Sequence, residues 1–109
     1  MKKLCVLLLL TVSLFASAKE YTFSPGDVQA MKQLLGSGNL QPGDAVVLKD
    51  GTYHNLEEIH FTGKGVSGKP IVWRAENPGK AVISGKLRLK IYGEYLQLED
   101  LLFYKAWAI

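Results

Sequence analysis

Three short apolar segments recur along this chain at one interval. They are Val46-Val47-Leu48, Ile71-Val72-Trp73 and Leu96-Gln97-Leu98, and the step from Val46 to Ile71 equals the step from Ile71 to Leu96. Each follows a turn-forming stretch: Pro42-Gly43-Asp44, Gly68-Lys69-Pro70 and Gly93-Glu94. A period in the twenties, with several short strands inside it, suits a β-solenoid, in which each turn of chain buries its apolar side by stacking on the last. Facing supports the repeat. If Val46, Leu48, Ile71, Trp73, Leu96 and Leu98 point inward, Lys49, Arg74 and Glu99 follow one step later on the outside. Inward positions are then all apolar and the outward column all charged, as the two-residue side-chain period of a strand requires. Ile59 and Val82, separated by a slightly shorter step, suggest a second column. The competing architecture is an antiparallel β-sandwich or small barrel, which also uses short, evenly spaced strands. Against it, no tight Asn-Gly or Asp-Gly turn joins two clear strands; Asp50-Gly51 comes closest, with only Thr52-Tyr53 as partner.

Local signals place the elements. Ser24-Pro25-Gly26-Asp27 offers a Ser N-cap, Pro at the first helical position and an acid able to bond back to the cap. Val28, Met31, Leu34 and Leu35 then form one apolar stripe, so a helix is expected over about residues 25–35, closed by Gly36. The open end of a solenoid exposes apolar core and an unpaired strand edge. This helix is suited to cover that end, near Val46 and Leu48. Beyond Pro42 the pattern changes to short strands at 45–48, 52–53, 58–61, 71–75, 81–83, 87–92 and 95–103. A loop is marked by Gly63, Gly65 and Gly68, and a turn by Asn77-Pro78-Gly79. The expected fold class is all-β.

Residues 1–18 read as a secretory signal peptide: Lys2-Lys3, an apolar run over 4–15, and the small-residue ending Ala16-Ser17-Ala18. The run is too short for a membrane span of about 20 residues, which argues against an uncleaved anchor. Residues 19–109 are then the mature part, exported to the periplasm or beyond, with no membrane attachment. Cys5, the only cysteine, leaves with the signal, so the mature part has no disulfide. Lys2 and Lys3 leave too, and 11 of the 13 basic residues remain against 10 acidic ones. That balance makes no case for nucleic-acid binding.

Lys86, Arg88 and Lys90 alternate with Leu87, Leu89 and Ile91. Three cations on one strand face are the candidate substrate-binding residues, able to hold the carboxylates or sulfates of an anionic sugar chain; the bland alternative is a solvated strand face. His54 and His60 lack a third ligand at zinc-site spacing. Glu57 and Glu58 are adjacent, so on a strand they face opposite sides and cannot act as a pair. Asp44 and Asp50 are explained by local turn bonding, and Trp73, being in the inward column, by the core. No catalytic residue, metal site, phosphate-binding glycine motif or serine nucleophile elbow is assigned.

The order of four stretches carries a resemblance. Residues 42–53 (Pro-Gly-Asp-Ala-Val-Val-Leu-Lys-Asp-Gly-Thr-Tyr), Gly65-Val66-Ser67-Gly68-Lys69-Pro70-Ile71, Asn77-Pro78-Gly79-Lys80 with Ser84-Gly85, and residues 93–103 resemble the opening coils of the polysaccharide lyase family of chondroitinase B and related alginate lyases. The resemblance covers about residues 21–109. It implies a right-handed parallel β-helix with an N-terminal capping α-helix, of which this chain holds only the cap and first coils. It implies an anionic, uronate-containing polysaccharide (alginate or chondroitin/dermatan sulfate) cleaved by β-elimination. In that reaction calcium offsets the uronate charge, a lysine acts as base and an arginine as acid. None of the family's catalytic or calcium motifs matches a position here, so the chain is expected to bind no calcium and to be inactive alone. Its ending inside an apolar run, residues 104–109, reads as a fragment. The alternative is a non-catalytic secreted β-helix module that binds glycans.

Overall fold

The computed structural model describes residues 18–108. The expected signal peptide therefore lies outside the described residues, apart from Ala18. Strand β1 (Glu20–Phe23) leads into a 3-10 turn (Pro25–Asp27) and one helix, α1 (Val28–Gly36). Seven strands follow: β2 (Ala45–Leu48), β3 (Gly51–His54), β4 (Glu57–Lys64), β5 (Ile71–Ala75), β6 (Ala81–Glu94), β7 (Leu96–Glu99) and β8 (Leu102–Ala108). Every strand pairing is parallel. One sheet has the order β1-β2-β5-β7; in the other, β6 pairs with β3, β4 and β8. From β2 onward the chain visits the two sheets alternately, and each visit lays a strand beside the last. That parallel, alternating path excludes the antiparallel sandwich.

In the first sheet the inward faces are as expected, but the register differs at one step. Ile71 pairs with Leu96 and Arg74 with Glu99, as the equal spacing requires. Val46, however, pairs with Trp73 instead of Ile71, and Leu48 with Ala75 instead of Trp73. The two extra residues are taken up before β5, and an even shift leaves every side chain on its expected face. Lys49 therefore does not share a row with Arg74; Val47 does. The Arg74 guanidinium turns away from Glu99 to Glu20 Oε2 at 2.7 Å. Because β1 and β5 flank β2, this ion pair crosses the outer face of β2, over the buried Ala45 and Val47.

The second sheet departs further from expectation. The strands expected at 81–83 and 87–92 are one continuous β6, and the one expected at 95–103 is divided into β7 and β8. β3 and β4 pair in succession along β6, so Ile59 lies beside Leu89, and Val82 beside Thr52. The proposed Ile59–Val82 column does not exist. Between β3 and β4 the chain turns at Asn55, whose φ is 52° and whose Oδ1 accepts the Lys86 amide at 2.8 Å. Gly85, with φ 82°, sits under that side chain; a Cβ there would strike it, so this bend in β6 requires glycine.

Asp27 Oδ2 accepts from the Ser24 amide at 3.2 Å and the Ser24 hydroxyl at 2.9 Å, tying off the entry to α1. These bonds hold the Asp27 carboxyl below the usual carboxylate range. The expected helix start at Pro25 is the 3-10 turn, and the α-helix proper begins at Val28. Met31 and Leu35 are fully buried, Val28 and Leu34 half-buried, in one cluster with Val46, Leu48, Tyr53, Leu56, Ile59, Phe61, Ile71, Trp73 and Ile83. The helix lies against β4: Lys32 Nζ donates to the Leu56 carbonyl at 2.9 Å, and Gly36 abuts His60. Inside, the Phe61 and Trp73 rings meet edge to face at 6.3 Å. The Tyr53 hydroxyl donates to the Lys49 carbonyl at 2.8 Å; burial, with the nearby carboxylates of Asp27, Asp50 and Glu76, pushes its pKa up to about 12.

Candidate functional site

The outer face of the second sheet collects the polar chemistry. Because β4 and β6 run parallel in register, Glu58 lies beside Arg88, His60 beside Lys90 and Thr62 beside Tyr92. Lys86, Arg88 and Lys90 share this face, while Leu87 and Leu89 pack half-buried against the core. Ile91, the next apolar residue in that alternation, is 50 % exposed.

The cation row is not uniform. Glu58 Oε2 accepts from Lys90 Nζ at 3.1 Å and lies 2.9 Å from His60 Nε2. The hydrogen bond from His60, then that from Lys90 and its charge, hold the Glu58 carboxyl below the usual carboxylate range. Lys90 is thus partly neutralised by a neighbour that strand pairing brings from the previous coil. Lys86 is exposed, with Trp107 of β8 beside it in register.

Beyond Lys90, the next outward position on β6 is Tyr92, 51 % exposed, with the His60 ring 5.9 Å away at a 40° tilt. Here the loop after α1 faces the ends of β4 and β6 across a groove of about 550 Å³. Its walls are Gly38, Leu40, Gln41 and Pro42 on one side and Thr62, Gly63, Lys64, Tyr92 and Gly93 on the other. Gly93 has φ 140°, and a Cβ there would run into the Gly63 carbonyl, so the close approach of β4 and β6 at this point requires glycine; Gly63 is itself buried, and a Cβ there would press on Ile71 of the core. Neither Tyr92 nor Lys64 stood out in the sequence. The pairing of Gly63 with Gly93 that frames them is a matter of strand register, which the sequence does not carry.

The other sequence candidates have local explanations. Asp44, buried, accepts the Gln41 amide at 2.8 Å and the Lys19 amide at 3.0 Å, so it closes its turn and also anchors the start of β1. His54 Nδ1 is 2.9 Å from Ser84 Oγ across β3 and β6. Trp73 is fully buried. Among the described residues no three of His, Cys, Asp and Glu gather where they could hold a metal ion. No helix among them is long and apolar enough to cross a membrane.

A family model described as chondroitinase B matches residues 28–108. Among solved structures, the chain is similar to a mannuronic acid specific family 6 polysaccharide lyase from human gut microbiota. The two are 96% identical with a TM-score of 0.83, covering 84% of this chain and 20% of that one. It is similar to the family 6 alginate lyase AlyGC at 28% identity and TM-score 0.65, over 82% of this chain and 12% of that one. A family 6 polysaccharide lyase from Pseudopedobacter saltans matches at 26% identity and TM-score 0.62, over 79% and 19% respectively. No match is found among curated proteins. The chain thus spans a fifth or less of the length of these lyases.

Proposed function

Because the chain belongs to the chondroitinase B family of polysaccharide lyases, we propose that it forms the N-terminal coils of an exported lyase that cleaves mannuronate-rich alginate by β-elimination. The observation that carries this is the 96% identity, over 84% of the chain, to a mannuronic acid specific lyase. It favours alginate over chondroitin or dermatan sulfate. In this reading the two parallel sheets belong to a closed, right-handed β-helix, and α1 caps its N-terminal end. Three features support that cap: Met31 and Leu35 enter the core, Lys32 bonds the Leu56 carbonyl, and α1 lies against β4.

β-Elimination requires the uronate carboxylate charge to be offset, a base to take the proton beside it, and an acid to assist the departing glycosidic oxygen. The family's calcium, lysine and arginine serve those needs, on coils other than these. The contribution of this chain is structural and electrostatic: it seeds the coil stack and presents Lys86, Arg88 and Lys90 to an anionic polymer. In this reading residues 1–18 direct export to the periplasm or the medium and are removed in the process.

The test pairs binding with turnover. Poly-mannuronate should bind the chain more tightly than dermatan sulfate does, and its affinity should fall with added salt. Neither polymer, with calcium present, should yield the ultraviolet absorbance of unsaturated uronates. Cleavage by this chain alone would place the catalytic groups within it and overturn the division of labour; a preference for dermatan sulfate would overturn the alginate reading.

A further inference from the structure

For the groove at the end of the cation row, we propose a role as a subsite for one uronate residue, with the pyranose ring on Tyr92 and the carboxylate at Lys64. The inference rests on the reading that this chain meets a uronate polysaccharide, and it says where a sugar unit is gripped.

Position comes first. Tyr92 continues the spacing of Lys86, Arg88 and Lys90 on the outer face of β6, so a polymer lying along the cations reaches Tyr92 next. A pyranose presents C–H bonds on its flat face and hydroxyls at its rim. An exposed aromatic ring with polar groups around it is complementary to that shape. The neighbouring His60 ring limits the motion of Tyr92 on one side. The second feature is the floor. Gly63 and Gly93 line it with backbone, held in place by the close approach of β4 and β6 at that point.

Charge then selects the sugar. Lys64 lines the groove with no ion-pair partner among the described residues, whereas Lys90 is engaged by Glu58. Opposite, Gln41 spends its amide N–H on the Asn39 carbonyl at 3.1 Å, leaving its side-chain oxygen to accept from a hydroxyl. The groove volume of about 550 Å³ falls within the roughly 300–1,000 Å³ of small-molecule sites. One cation, one aromatic face and one hydroxyl acceptor describe a monocarboxylate sugar.

Calorimetric titration of the full chain with oligomannuronate and with neutral oligomannose tests this, alongside amide chemical shifts. Tyr92→Ala should weaken oligomannuronate binding about tenfold, and Tyr92→Phe should retain it. Lys64→Gln should weaken it roughly threefold and leave oligomannose binding unchanged. In the unsubstituted chain, the Gly38, Gly63 and Gly93 amides should shift on titration, a readout independent of how any variant folds. Binding that survives Tyr92→Ala while those glycines stay unmoved overturns the subsite and leaves the lyase reading standing. Oligomannose binding as tight as oligomannuronate overturns the role of Lys64. If the unsubstituted chain binds no oligouronate, the parent reading falls and the subsite with it.

Discussion

Val46 lies directly beside Trp73 on the neighbouring strand, and both are fully buried. Their row continues to Tyr21 on one side and Leu98 on the other. Trp73, among the largest of the buried side chains, is therefore held between strands, with the Phe61 edge across from it. Its indole Nε1 is buried and finds no hydrogen-bond partner among the described residues. An unpaired buried donor costs about 1–3 kcal/mol, which the ring's packing must outweigh.

That balance yields the first prediction. Trp73→Ala should destabilise the fold by about 3–5 kcal/mol, a large fraction of what so small a domain has. Trp73→Phe should cost much less, because it leaves a smaller void and removes the unpaired donor. Denaturant unfolding followed by circular dichroism separates the two. Equal losses would mean that volume is not what Trp73 supplies.

The register itself can be tested by cross-linking. Residues 18–108 contain no cysteine. Val47 and Arg74 are paired and face outward, so Val47→Cys with Arg74→Cys should form a disulfide under mild oxidation. Val47→Cys with Val72→Cys, the pair that a strictly even repeat would juxtapose, should cross-link far more slowly. Faster closure of the second pair would refute the shifted register at this step.

What the sequence discloses, and what it does not, follows from the period of a strand. Alternation reports which way a side chain faces. It is blind to even shifts, so Val46, Leu48, Ile71 and Trp73 could be placed inside while Val46 was matched to the wrong partner. Ile59 and Val82 failed more completely, because β6 bends at Gly85 without breaking, and no local pattern distinguishes that from two strands. For the same reason the row Lys86, Arg88, Lys90 was legible, being one strand's alternation. Glu58 beside Lys90, and the groove between Leu40 and Tyr92, were not. They depend on residues brought together only by coiling.

Gly93→Ala should show how tightly that groove floor is built. The added Cβ would meet the Gly63 carbonyl, a backbone atom with little freedom to yield, and the backbone lies at φ 140°. Backbone strain of this kind costs about 1–3 kcal/mol before the clash is counted. The expected outcome is a loss of stability larger than that of Gly26→Ala, where a Cβ meets nothing within 4 Å. Indistinguishable unfolding midpoints for the two variants would show that the β4–β6 ends can separate freely.

The last prediction concerns Glu58, which sets how much of the cation row is available. Its carboxyl titrates below the usual carboxylate range because His60 and Lys90 bond its ionised form. A depressed pKa means that the interaction is fully present above the unfolded-state value and is lost as pH falls through the folded one. Acidification through that window should therefore free Lys90, and carboxyl-carbon chemical shifts should place the Glu58 midpoint below the usual carboxylate range. Substituting either partner, His60→Ala or Lys90→Gln, should raise it. Near neutral pH, Glu58→Gln should mimic the freed state. An exposed, solvent-screened pair of this kind is weak, so affinity for poly-mannuronate should rise by up to about fivefold, and less at high salt. If Glu58→Gln instead weakens binding, the carboxylate serves to hold Lys90 in place for the polymer and does not compete with it.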